Sequence, residues 1–206
     1  TQIRSWHPES NDLSKATLHG VGLLQSQIGL LRQEAQTDPL TSLHNRRSLD
    51  IQINHFIAQR CPFAVLAIDI DHFKRVNDEF GHDIGDVVLQ SLAKILLDVT
   101  RDSDVVARTG GEEFIVIMPR VEAKRAYQLA ERLRMRVSES YIDPVGCINV
   151  SIGISGWHLE QLSLEEVFKL ADQALYKAKK TGRNRCVVDG SYYKELTPIS
   201  DTPVLE

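Results

Sequence analysis

From Phe63 to Asp69 the chain reads FAVLAID, apolar at every position but the last. Such a run, with no polar alternation, is a strand buried inside a layered domain. The segments around it come in a definite order. Leu49 to Gln59 has helical character. HFKRVNDEF is a short helix stopped by Gly81. Asp83 to Asp98 is a longer helix, with Ile84, Val88, Leu92, Ile95 and Val99 on one face. DVVAR and EFIVIM are two strands flanking Thr109-Gly110-Gly111-Glu112, a hairpin signal. Val121 to Glu139 is amphipathic and helical, and INVSIGIS is a strand. Ser163 and Glu166 form a capping box for a helix that ends near Lys180, just before Gly182. CVVD is a last short strand. The order β-α-α-β-β-α-β, with α-β appended, is a split βαβ pattern. It predicts an α+β domain, an α/β sandwich with a ferredoxin-like antiparallel sheet and helices on one or both faces. In that topology the first strand lies between the third and the fourth. Asp69, at its C-terminal end, is therefore expected to meet the turn from Gly110 to Glu113.

Composition narrows the function classes. The 206 residues are 42% hydrophobic and 25% charged, enough for one domain with a real core plus extra segments. A net charge of -4 argues against a general binder of nucleic acid polymers or membrane surfaces. It leaves room for a small anionic ligand held by a local basic cluster. Cys61, Cys147 and Cys186 have no metal-site spacing and read as buried thiols in a reducing, cytoplasmic compartment. No apolar run approaches a membrane span, and no signal peptide is evident. The chain starts at Thr1 rather than Met, as expected of a piece excised from a longer protein, such as the cytoplasmic part of a membrane-anchored one.

Outside the core pattern, residues 1–14 read as an irregular leader and 191–206 as a flexible polar tail. Between 15 and 36, Thr17, Val21, Leu24, Ile28, Leu31 and Ala35 follow a 4, 3, 4, 3, 4 spacing. That is a heptad seam, weakened by Gly20, Gly22 and Gly29. It is either an amphipathic helix on the domain surface or a short coiled-coil stalk coupling an upstream sensor or regulatory domain to residues 37–190. Pro39 ends it.

The expected convergence carries chemistry. Asp69, Glu112 and Glu113 would meet at one end of the sheet, raising one another's pKa unless a cation lies between them. All-oxygen ligands of this kind suit Mg²⁺ or Mn²⁺, and a pair of such ions can serve an in-line displacement. After Asp69 the chain turns into a helix at His72-Phe73-Lys74, whose first amides form an anion site beside Lys74. Lys179 and Arg183 close the late helix and add charge. Asn77 and Asp86 could read a base edge, although such residues more often cap and turn.

At this point four separated segments resemble one family: DPLTSLHNRR (38–47), DIDHFKRVNDEFGHDIGDVVL (69–89), RTGGEEF (108–114) and ALYKAKKTGRN (174–184). They are similar to the diguanylate cyclase, or GGDEF, family over residues 37–190. The resemblance implies a ferredoxin-like palm and the condensation of two GTP into cyclic di-3′,5′-GMP with release of two pyrophosphates. It implies two Mg²⁺ or Mn²⁺ ions per active site, held by Asp69, the carbonyl of Ile70, Glu112 and Glu113. Glu112 is the implied aid to deprotonation of the ribose 3′-hydroxyl. Gly110 and Gly111 would let the backbone pass close to the nucleotide, and Asn77 and Asp86 would bond guanine. The amides of His72 and Phe73, with Lys74, Lys179 and Arg183, would hold the β- and γ-phosphates.

The resemblance also implies a second site. Arg101 and Asp104 form an RxxD ahead of Gly110 at the family's spacing for an inhibitory cyclic di-GMP site, and Arg132 stands where the family adds a second arginine. Each domain would bind one GTP, so catalysis would need a homodimer. Three departures are visible. Glu112 stands where the family name has Asp, Ser42 replaces a frequent glycine, and Thr109 replaces a frequent bulkier residue. The rival expectation is a catalytically silent cyclic di-GMP receptor, which the retained Asp69, Glu112 and Glu113 argue against.

Overall fold

The computed structural model describes residues 36–158 and 162–190. The expected leader and tail, and all of the expected stalk but Gln36, therefore lie outside the described residues. A wide turn leads into α1 (Arg46–Ala58), which Asn45 caps by accepting from the Ser48 amide. Then follow β1 (Phe63–Ile70), α2 (Phe73–Phe80), α3 (His82–Val99), β2 (Val105–Arg108) and β3 (Glu113–Pro119). The second half comprises α4 (Ala123–Glu139), β4 (Tyr141–Ile142), β5 (Gly146–Cys147), β6 (Val150–Trp157), α5 (Leu164–Lys180) and β7 (Cys186–Val188).

The main sheet has the order β2-β3-β1-β6-β7. β1 pairs antiparallel with β3 on one side and with β6 on the other, which is the expected central position. The appended strand β7 runs parallel to β6, so the sheet is mixed at that edge. Every residue of β1 is buried, and alternate positions feed two separate clusters. Ala64, Leu66, Ile68 and Ile70 face α3 and α4, packing among Val88, Leu92, Leu96, Ala130 and Leu133. Phe63, Val65 and Ala67 face α1 and α5, meeting Leu49, Ile53, Val167 and Ala171. The unbroken apolar run is thus the mark of a sheet covered by helices on both faces. β6 approaches α5 so closely that a Cβ on Gly153 would overlap the backbone at Ala171 and Leu175. Only glycine lets strand and helix sit at that spacing.

Two findings lie outside the sequence expectations. β4 and β5 form a separate two-stranded ribbon between α4 and β6, too short to leave a periodic signal. The ribbon also corrects the reading of the cysteines. Cys61 is buried and Cys186 half-buried, but Cys147 sits exposed on β5, away from the core. Burial pushes the Cys186 thiol well above its ordinary range. No helix among the described residues is long and apolar enough to cross a membrane.

Candidate active site

Antiparallel register brings the carboxylates together. The Cα partner of Asp69, on β1, is Glu113, the first residue of β3. Partners in a ladder share a face. Parity along β1 and β3 therefore turns both residues toward the side covered by α5, with Ala67 and Ile115. Glu112 stands next to them, and its carboxyl is held above the usual range first by burial and then by the Asp69 charge. Asp69, only 4% exposed, is also pushed up, chiefly by burial and then by Glu113 and Asp71, with Lys179 opposing.

From the last turn of α5, Lys179 reaches across to Asp69, with Nζ 2.7 Å from Oδ2. The sequence placed Lys179 among phosphate ligands; here its partner is a carboxylate. Together Asp69, Glu113, Thr109, Asp172, Tyr176 and Lys179 line a cleft of about 290 Å³. Among the described residues no three of His, Cys, Asp and Glu are gathered closely enough to cage a metal ion. The charges of Asp69, Glu112 and Glu113 lie close enough for Asp69 and Glu112 to be raised, yet Asp69 is engaged by the Lys179 ammonium.

The hairpin turn is present, closed by the Thr109 amide donating to the Glu113 carbonyl at 3.0 Å. Its glycines do not serve a left-handed turn, since neither Gly110 nor Gly111 has positive φ. A Cβ on Gly110 would lie 2.6 Å from a Glu113 carboxylate oxygen, whereas one on Gly111 would meet nothing within 4 Å. Gly110 clears room for Glu113, and Gly111 leaves the turn open to whatever approaches it. An arginine fixes the turn from behind. Arg108 Nη2 donates to the Gly111 carbonyl at 2.8 Å, and Nη1 pairs with Asp38 at 3.1 Å. Asp38 also accepts from the Thr41 amide and hydroxyl. Burial works against its charge, but those bonds and Arg108 win and hold its carboxyl below the usual range. The turn after the N-terminal segment is thereby tied to the turn that carries the glutamates.

Beyond β1 the chain enters α2 through His72, whose φ of 61° is left-handed. The first helical bond runs from the Arg75 amide to the His72 carbonyl at 2.9 Å, so the Phe73 and Lys74 amides precede it. Phe73 is buried and anchors the turn, while Lys74 is exposed. Asn77 leans over α3 with its Oδ1 buried and lacking any hydrogen-bond partner. A Cβ on Gly85 would overlap that oxygen, so Gly85 seats Asn77, and Asp86 follows it in the open. Arg183 is exposed just past the end of α5.

The decisive comparison covers most of this architecture. Residues 35–185 match the family described as "Diguanylate cyclase, GGDEF domain". The chain belongs to the GGDEF family.

A diguanylate cyclase of Vibrio cholerae serotype O1 is 41% identical over 163 residues, which are 77% of this chain and 51% of that protein. The response regulator PleD of Caulobacter vibrioides is 43% identical over 162 residues, 74% of this chain and 36% of the relative. The chain thus spans about half or less of these relatives' length. Among solved structures, the coiled coil and GGDEF domain of DgcB from Caulobacter crescentus, in complex with c-di-GMP, superposes with a TM-score of 0.80. The two are 31% identical, and the match covers 87% of this chain and 98% of that one. The active GGEEF domain of a Vibrio cholerae diguanylate cyclase gives 0.65 at 39% identity, covering 70% and 96%.

The GGDEF fold places Arg101, Asp104 and Arg132 at the far end of the β2–β3 hairpin. The Arg101 amide donates to Asp104 Oδ2 at 2.9 Å, while Asp104 Oδ1 is buried and without a partner. Arg132 Nη2 donates to the Val99 carbonyl at 2.9 Å. These three line a pocket of about 230 Å³ with Arg125, Gln128 and Met118. Asp38, Arg108, Gly85, Asp71 and Asp172 were not singled out in the sequence. Their partners lie far along the chain or across helices, and no local spacing reports such pairs.

Proposed function

We propose that this chain is a diguanylate cyclase domain, joining two GTP into cyclic di-GMP with release of two pyrophosphates. The observation that carries the reading is the pairing of Asp69 with Glu113, with Glu112 beside them, at the end of the sheet where α2 begins and α5 ends. In each half-reaction the ribose 3′-oxygen of one GTP attacks the α-phosphorus of the other. A new phosphoester bond forms as the bond to the β-phosphate oxygen breaks, and the hydroxyl proton leaves toward the Glu112 carboxylate. A second, identical attack closes the ring. Each domain binds one GTP, so two copies must face each other, and catalysis is largely positioning.

The donors Asp69, the Ile70 carbonyl, Glu112 and Glu113 are all hard oxygens, a set that fits Mg²⁺ or Mn²⁺. Bound there, such ions would neutralise phosphate charge and acidify the attacking hydroxyl. Lys179, now on Asp69, would then be released toward the phosphates with Lys74, Arg183 and the amides of His72 and Phe73. Asn77, with its unpartnered oxygen, and Asp86 take the guanine edge. Gly110 and Gly111 keep the turn bare beside the nucleotide. At the other end of the hairpin, the unpartnered Asp104 oxygen between Arg101 and Arg132 supports an inhibitory site for the product, whose guanines supply N–H donors and whose phosphates are anionic. DgcB, solved with c-di-GMP, is a relative of similar fold. Its coiled coil also supports reading residues 15–36 as a stalk under an upstream sensor domain. The reading implies a cytoplasmic location, where GTP is found.

The test is incubation of the chain with GTP and Mg²⁺, with the product identified by mass and retention. Cyclic di-GMP and pyrophosphate in a 1:2 ratio are expected. No product at high protein concentration would leave the receptor reading in place. Faster consumption of ATP than GTP would overturn the guanine assignment.

A further inference from the structure

Part of the proposed machinery is set by two loops that are far apart in sequence: the one that joins the end of β1 to α2, within residues 69–74, and 182–185 after α5. Both loops take left-handed backbone at non-glycine residues, His72 at φ 61°, Arg183 at 59° and Asn184 at 43°. Such conformations persist only where the surroundings hold them. One side chain bridges the two loops. Asp71 is 8% exposed, and its two oxygens go in different directions. Oδ2 accepts from the Asn184 amide at 2.8 Å, and Oδ1 accepts from the buried Ser151 hydroxyl on β6 at 2.7 Å. Among the described residues no cation pairs with Asp71. Burying a carboxylate costs free energy, and these two hydrogen bonds are what offset that cost. Asn184 is gripped from the other side as well: Arg134 on α4 donates to its Oδ1 at 2.8 Å and is itself held by Glu131 at 2.9 Å. The Arg183 amide meanwhile closes α5 by donating to the Ala178 carbonyl at 3.0 Å.

We propose that Asp71 is a positioning residue for the cyclase reaction, locking the loop that presents Arg183 against the end of β1 that presents Asp69 and Ile70. Arg134 is its outer brace. The inference rests on the reading of Arg183 as a phosphate ligand. Asp71 does not touch the nucleotide. It fixes the strained turn from which Arg183 extends, so that the guanidinium is already aimed when GTP arrives and little ordering cost remains to be met on binding.

The test reads binding and turnover in the same 206-residue chain. The binding probe is 3′-deoxy-GTP with Mg²⁺ in calorimetry, because it lacks the attacking hydroxyl and cannot condense. Asp71→Ala is expected to weaken binding of this probe and raise KM for GTP on the order of tenfold. Asp71→Asn can accept from the Asn184 amide and donate to Ser151, and is expected to stay within about threefold of the parent. In an Arg183→Ala background, Asp71→Ala should add less than about twofold, because the group it positions is gone. Should Asp71→Ala fail to fold, Arg134→Gln provides the same comparison with a smaller loss, again absent beside Arg183→Ala. Multiplying effects of Asp71→Ala and Arg183→Ala, or an Asn variant as impaired as the Ala one, would overturn the positioning role while leaving the cyclase reading intact. If the unaltered chain neither bound 3′-deoxy-GTP nor turned over GTP, both readings would fall together.

Discussion

The two ends of the β2–β3 hairpin are built from opposite charges and are buried to different degrees. At the turn end, Asp69 is buried and Glu112 partly so, and both carboxyls are held above their usual range. Two groups there are held by neighbours: Asp69 by Lys179 and the Gly111 carbonyl by Arg108. At the open end the groups are arginines on the surface, with one buried carboxylate oxygen of Asp104 still unpartnered. Catalysis by positioning requires the first kind of construction, because any looseness is lost rate. Reversible capture of an anionic product suits the second, where exposed arginines can close around a ligand and release it. Four residues of β2 separate the two ends, so one ladder carries both proposed sites.

The sharpest way to break this contrast is Glu112→Ala. Turnover of GTP is expected to fall by more than about a hundredfold, with the far-UV circular dichroism spectrum unchanged. Retained turnover would mean that the turn end is not the reacting end. Next comes the clamp behind the turn. The Arg108 and Asp38 side chains are 14% and 18% exposed, so Arg108→Ala leaves a carboxylate and a carbonyl underpaired. Loss of about 1–3 kcal/mol in urea unfolding is expected, together with slower turnover. At the other end, Arg101→Ala should raise the cyclic di-GMP concentration needed for half-inhibition on the order of tenfold. An unchanged inhibition constant would reduce the RxxD to ordinary surface.

The smallest effect concerns pH. Asp69 and Glu112 have raised pKa values in the folded chain, so their protonated forms are favoured by folding. That contribution is present at low pH and is lost as pH rises through the raised values. Glu112→Gln is neutral throughout. In the absence of divalent ions it should match the parent's melting temperature below about pH 4, where unfolded carboxyls are protonated, and exceed it by a few degrees near neutrality. Affinity for Mn²⁺ should move the other way in the parent, rising with pH as the carboxylates ionise. A melting difference that shrank toward neutral pH would show that the Glu112 charge is already compensated.

Much of this was legible in the sequence, for reasons that also set the limit. FAVLAID gave its burial away by lacking alternation, and the order of elements then put Asp69 beside Glu113, because topology fixes which strands are neighbours. The Ser163 capping box and the end of α5 before Gly182 are local, and they are where the spacing put them. The rest is long-range. Asp38 with Arg108, Asp71 with Asn184 and Lys179 with Asp69 join positions that no periodicity links. Gly110 looked like a turn glycine, yet its backbone has no need of that freedom; the Glu113 side chain explains it. The β4–β5 ribbon is two residues a side, below the length at which alternation can be read, and Cys147 was misplaced with it.

The central claim is that the carboxylate end of the sheet joins two GTP across two copies of the domain. The most direct measurement is the initial rate of cyclic di-GMP formation from GTP and Mg²⁺ over a wide range of protein concentration. A rate per domain that climbs with concentration toward a plateau is expected, together with a flat, near-zero line for Glu112→Ala. A rate per domain that is constant down to the lowest concentration, in a protein shown to be monomeric there, would contradict the account.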